Sequence, residues 1–160
     1  MTDGNSSLAL LQESRAVPAI FFAGLTCGIL DISAAFVTWA VQGVGPGRIL
    51  RGIASALIGP DAFRGGNATA ALGLALHFLV TFSAAAVFYM ASGQIAFLTR
   101  RPILAGVLCG VCVYLVMYWI VMPLSKLHPN HALKPSIVAI VTHMLCVGLP
   151  ISLVVRRFSR

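Results

Sequence analysis

The apolar positions of this chain gather into four long runs, at about residues 17–41, 68–92, 102–124 and 136–155. Each is long enough to cross the ~30 Å hydrocarbon core of a bilayer as a helix, so each predicts a membrane span. The connection from 42 to 67, QGVGPGRILRGIASALIGPDAFRGGN, has a different pattern. Between its Gly-Pro turns, Ile49, Ile53 and Leu57 fall on one helical face, and Arg48, Arg51 and Ser55 on the other. That division predicts a short helix over about 47–58 lying in the membrane interface as a plain anchor, with a re-entrant gate or a substrate lid as its alternative role. The segment between the second and third runs, SGQIAFLTRRP, is short and predicts a tight antiparallel hairpin, with Pro102 in the first turn of the third helix. Residues 1–16 read as a polar N-terminal tail, too long for the n-region of a signal peptide, which predicts an uncleaved first span. The expected fold is all-α: an integral membrane four-helix bundle over residues 17–157 with one interfacial helix between spans 1 and 2.

Within the runs, polar positions share faces with small residues. In the first, Gly24, Gly28, Asp31, Ala35 and Thr38 are spaced by fours and threes and line one stripe. The G-x-x-x-G at 24–28 lets another backbone come close, so this stripe, Asp31 included, is expected to face protein rather than lipid. Gly73, His77, Thr81 and Ala84 group in the same way in the second run. Gly106, Gly110, Tyr114 and Met117 or Tyr118 do so in the third, and Ala139, His143, Cys146 and Pro150 in the fourth. Counted from the same ends of their spans, Asp31, His77, Tyr114 and His143 lie ~10–15 Å in and form one polar layer. An isolated carboxylate at that depth costs ~2.5–3.5 kcal/mol on insertion scales, which a neighbouring imidazole would relieve. Three roles fit such a layer: a hydrogen-bonded brace that holds helix register, a pathway for a proton or solute, or a metal or haem site. For the last, His77 and His143 sit on spans running in the same direction, as the two axial ligands of a b-type haem would, although no motif marks a propionate site.

Composition narrows the class. Of 160 residues, 59% are hydrophobic and only 9% charged, far below the ~25% charged that soluble domains carry. The net charge of +7 would suggest a nucleic-acid surface in a soluble protein, but here Arg100-Arg101 and Arg156-Arg157 stand at the ends of apolar runs. They read as contacts to anionic lipid headgroups, so the expected partner is the bilayer and not nucleic acid. The Lys and Arg count across the two sides is nearly balanced; the paired arginines beside span ends favour both termini being cytoplasmic. Cys27, Cys109, Cys112 and Cys146 all lie inside apolar runs, which argues against a disulfide framework. Cys109 and Cys112 have a C-x-x-C spacing that a soft metal or disulfide exchange could use, but buried thiols in lipid are poor nucleophiles, and small-residue packing is the favoured reading. The loop residues His128 and His131 read as solvated, with metal capture as the alternative.

No Walker A sequence, G-x-S-x-G, H-E-x-x-H or pair of carboxylates occurs, so enzymatic chemistry is not expected. The expectation is a structural or accessory subunit or a small channel-like module without cofactor, contacting copies of itself or a larger membrane complex through lipid-facing helices. A b-type haem or metal protein using His77 and His143 is the alternative.

The stretch AGLTCG at 23–28 recurs as AGVLCG at 105–110, as two copies of a helical hairpin would show. In that alignment Asp31 corresponds to Val113. The stretches RILRGIASALIG, GGNATAALGLALHFLVTFSAAAVFYMAS, ILAGVLCGVCVYLVMYWIVMPLS and IVTHMLCVGLPISLVVRR resemble a group of small bacterial inner-membrane proteins of unknown function and, more distantly, the YagU-like family. In that family a histidine precedes a Phe/Ser/Ala-rich tail of one span, an AG-x-x-x run opens the next, and a histidine lies in the last. His77, Ala105, Gly106 and His143 match these places. The resemblance implies four helices in a bacterial inner membrane and no biochemical activity, with a role in acid tolerance associated with the distant relatives.

Overall fold

The computed structural model describes the backbone of residues 3–126 and 133–159, and the side chains of residues 15–126 and 133–159. All the regular structure among these residues is helical. Helix α1 runs Asp3–Ala40, α2 Pro46–Ile58, α3 Gly66–Gln94 and α4 Ala96–Arg100. Helix α5 occupies Pro102–Leu124 and α6 Leu133–Phe158. Four segments, Arg15–Ala40 of α1 and the whole of α3, α5 and α6, are long and apolar enough to cross a membrane, and the chain is a multi-pass membrane protein by this measure.

The polar N-terminal segment is itself helical from Asp3, its Leu, Ala, Gln, Glu and Arg being good helix formers, and the apolar stretch of α1 begins at Arg15. Two expectations are corrected. The turn after α3 contains the short helix α4 rather than a plain loop. Nor do α3 and α5 form a tight hairpin: α1 packs on α3 and on α6, and α6 packs on α5, so close packing follows the order α3–α1–α6–α5 and the two spans joined by α4 do not pack closely on each other.

Glycine delimits α2. Gly43 and Gly59 both take φ 75°, open to glycine without strain, and reverse the chain where α1 and α2 end. At the first, Val44 N–H returns to the Trp39 carbonyl at 3.1 Å; at the second, Gly59 N–H returns to Ser55. Pro46 opens the helix, where its missing N–H costs nothing. Gly73 on α3 is the socket for α2: a Cβ there would strike the Leu50 carbonyl and come within 3.2 Å of Ala54 N. At its other end α2 reaches the turn that follows α5, the Ala56 carbonyl accepting the Lys126 N–H at 3.2 Å. Of the residues assigned to its polar face, Arg48 packs over the Phe63 ring at 5.5 Å and remains exposed, but Ser55 is buried and donates to the Gly52 carbonyl at 2.6 Å. Small size, not polarity, put Ser55 against protein.

Both α5 and α6 contain one π-helical turn, Met117–Val121 and His143–Gly148, and each stops two residues short of a proline, Pro123 and Pro150. Proline supplies no N–H to the helical ladder, and a widened turn lets neighbouring carbonyls find other donors. The His143 imidazole is one such donor, bonding the Ala139 carbonyl at 2.8 Å.

The buried core joins Ala23 and Cys27 of α1, Ala85 and Phe88 of α3, Ala105 of α5 and Val147, Ile151 and Val155 of α6. It lies toward the end of the bundle where α4 connects the helices. Ser152, fully buried, donates to the Pro102 carbonyl at 2.7 Å and pins α6 to the first turn of α5. Large residues such as Val17, Leu79, Val87, Met90 and Ile103 stay exposed on the outer faces, as expected where lipid is as apolar as leucine and close packing of small residues drives association.

Candidate functional site

At the other end of the bundle the helices part. A cavity of about 590 Å³ lies between α3 and α5 with α2 across it. Asp31 of α1, His77 and Thr81 of α3, and His143 of α6 all line it, together with Ile53, Ala56 and Leu57 of α2. Three of the four residues expected to share a polar layer therefore border one space. Tyr114, the fourth, does not: it is buried behind His143, its ring edge-on to the imidazole at 6.0 Å between centroids and stacked on Tyr118 at 4.5 Å.

The small-residue stripes explain the placement. Gly24 lies under the Phe82 ring and Gly28 under Phe78, with Thr81 Oγ1 2.9 Å from where a Cβ would stand. This close approach of α1 and α3 lets the His77 Nε2–H donate to the Gly28 carbonyl at 2.9 Å. On the other pair, Gly106 and Gly110 admit the α6 backbone at His143, Met144, Gly148 and Leu149. The four packing glycines are thus buried at helix contacts, and Asp31, one turn beyond Gly28, emerges half-buried where the contact ends.

Among the described residues no hydrogen bond or ion pair joins Asp31 to either histidine; each imidazole is tied to a backbone carbonyl instead. Because a carbonyl only accepts, His77 is protonated on Nε2 and His143 on Nδ1, which leaves Nδ1 of the first and Nε2 of the second as acceptors when the rings are neutral. Asp31 has Cys27, Tyr118 and Cys146 within electrostatic reach. For a bis-histidine haem, His77 has its Nε2 turned to the backbone, so ligation through that atom requires the ring to leave Gly28, whereas His143 already has the Nδ1-to-carbonyl bond typical of a ligating histidine.

Of the other candidate groups, Cys109 is half-buried and Cys112 exposed, both free thiols on α5 outside the cavity lining. His128 and His131 lie outside the described residues. The contribution of α2 to the cavity was partly legible, since Ile53 and Leu57 share the apolar face and a lid was the alternative role of this helix; the favoured reading turned that face to lipid instead of to a cavity. Gly73, on the same stripe as His77, was the available clue. No protein-family model, curated protein or solved structure matches this chain, so the YagU-like resemblance rests on the quoted stretches alone.

Proposed function

We propose that this chain is a multi-pass protein of a bacterial inner membrane, with both termini cytoplasmic and α2 in the opposite interface, working as a small channel-like module rather than as an enzyme. The observation that carries this reading is that Asp31, His77 and His143, from three different helices, line one chamber. Ionisable groups facing a cavity within membrane spans are the usual elements of proton and solute pathways. A brace would spend the Asp31 carboxyl on a neighbouring helix; here the bracing bond is the one from His77 to Gly28, and Asp31 is left to the cavity. The chamber can hold a proton on the carboxyl or on the free imidazole nitrogens.

The test is proton flux in proteoliposomes under an imposed pH gradient. Wild type dissipates the gradient faster than empty liposomes, and Asp31→Asn, which keeps the shape and removes the titratable group, returns it to the empty-liposome rate. Equal rates for the two proteins would overturn the pathway.

A further inference from the structure

We infer that the chamber is a binding site for a lipophilic cation, an organic ammonium or phosphonium with an apolar body, and that Asp31 is its counter-ion. The inference rests on the chamber described above and names what it takes. Among the described residues Asp31 is the only carboxylate lining the cavity, and no Lys or Arg lines it. The two imidazoles there direct their N–H groups to Gly28 and Ala139, so neither donates to the carboxylate. A carboxylate in a low-dielectric space without a partner is costly, and a cationic ligand is what offsets that cost.

The walls specify the rest of the ligand. Apart from Asp31, Thr81, Ser125 and the two histidines, the lining is aliphatic or thioether, including Leu76, Val80, Val113, Met117, Val121 and Met122. Methionines adapt to irregular apolar shapes, and about 590 Å³ lies within the ~300–1,000 Å³ of small-molecule sites. A bare metal ion leaves those walls unsatisfied and lacks ligands: no group of three or more metal-binding side chains occurs among the described residues. A neutral acyl chain fills the walls and leaves the carboxylate unpaired.

The entrance fits the same chemistry. Leu57, Leu79 and Leu124 line the cavity and are also largely exposed, at 57%, 62% and 84%, so its mouth, between α3 and α5, has an apolar rim. A ligand arriving through it comes from the hydrocarbon or its boundary, which favours a charge carried on an apolar body. Helix α2 covers the site from the side, held at Gly73 and by the bond from Lys126 N–H to Ala56.

The test uses the full chain in nanodiscs of phosphatidylcholine, with radiolabelled tetraphenylphosphonium as the probe and tetraphenylborate as an anion of nearly the same shape. Wild type should bind the cation saturably above its partition into empty nanodiscs and bind the borate no more than empty discs do. Asp31→Asn should weaken cation binding at least tenfold, Asp31→Glu should retain it, and Met117→Trp, which fills the chamber, should weaken it without removing the charge. Binding of the cation that does not saturate, equal binding of the anion, or equal affinity in Asp31→Asn would each overturn the assignment. The cation-against-anion comparison needs no variant, so it stands even if a substitution disturbs folding. It is also separable from the flux reading: saturable, Asp31-dependent binding without proton leak supports this site and removes the pathway, whereas a leak without binding does the reverse.

Discussion

In α1, Gly24 and Gly28 face the rings of Phe82 and Phe78; in α5, Gly106 and Gly110 face backbone atoms of α6, among them those of Gly148, whose own Cβ would strike the Gly106 carbonyl and Gly110 N. The same A-G-x-x-C-G spacing thus builds two different contacts. In the first pair the nearest atoms belong to side chains whose rings can turn aside, with one backbone atom, Phe82 Cα, 3.0 Å from where a Gly24 Cβ would stand. In the second the glycines allow main chain to meet main chain, and nothing there can turn. The difference reaches the site. Where α1 and α3 separate beyond Gly28, Asp31 and His77 border the cavity; where α5 and α6 stay close, Tyr114 is sealed behind His143. Val113, the counterpart of Asp31 in the repeated pattern, lines the same cavity as an aliphatic wall.

The largest expected effect comes from adding one methyl group to each contact. Gly110→Ala should destabilise by about 3 kcal/mol or more, the upper end of the cost of overpacking, because the added Cβ meets Met144 and the His143 carbonyl. Gly24→Ala should cost only about 1 kcal/mol, since the Phe82 ring can shift. Thermal unfolding in detergent, followed by size-exclusion chromatography, checks the pair, and equal losses would remove the distinction between ring and backbone contacts. Next, Pro150→Ala returns an N–H to α6 and should relax the π-helical turn at His143–Gly148. The expected outcome is a shift of the His143 ring-proton resonance as the ring moves against Tyr114, and an unchanged resonance would show that Pro150 does not set the turn. The smallest effect belongs to Ser152→Ala, which removes one buried bond to Pro102 and should cost about 0.6 kcal/mol, read as a slightly lower midpoint.

The four spans were legible because a helix that crosses hydrocarbon must satisfy every backbone group internally, and long apolar runs show this directly. The glycine stripes were legible for the same reason at the next level: with no hydrophobic drive between helices in lipid, small residues at intervals of four mark the contacts. Asp31, His77 and His143 were placed at one depth by counting along three helices, and they share one cavity. Tyr114 passed the same count and does not join them, since depth places a residue along its helix and leaves open what stands in front of it. The hairpin of α3 and α5 failed because a short connection constrains only the ends of two helices, while α1 and α6 offered better-fitting surfaces along their lengths.

The sequence by itself therefore determined the four long apolar helices, the glycines at which two pairs of them meet and the residues able to carry a charge or proton, but not α4, the start of α1 or the buried face of α6 around Gly148. All of these depend on periodicity along one chain segment. The order of the spans, the turning of α2 toward the gap, the bonds of His77 and His143 to backbone carbonyls, and the cavity that leaves Asp31 unpaired were decided only in the tertiary structure. Each depends on which of several compatible small-residue faces meet, and that choice is settled by shape across distant segments.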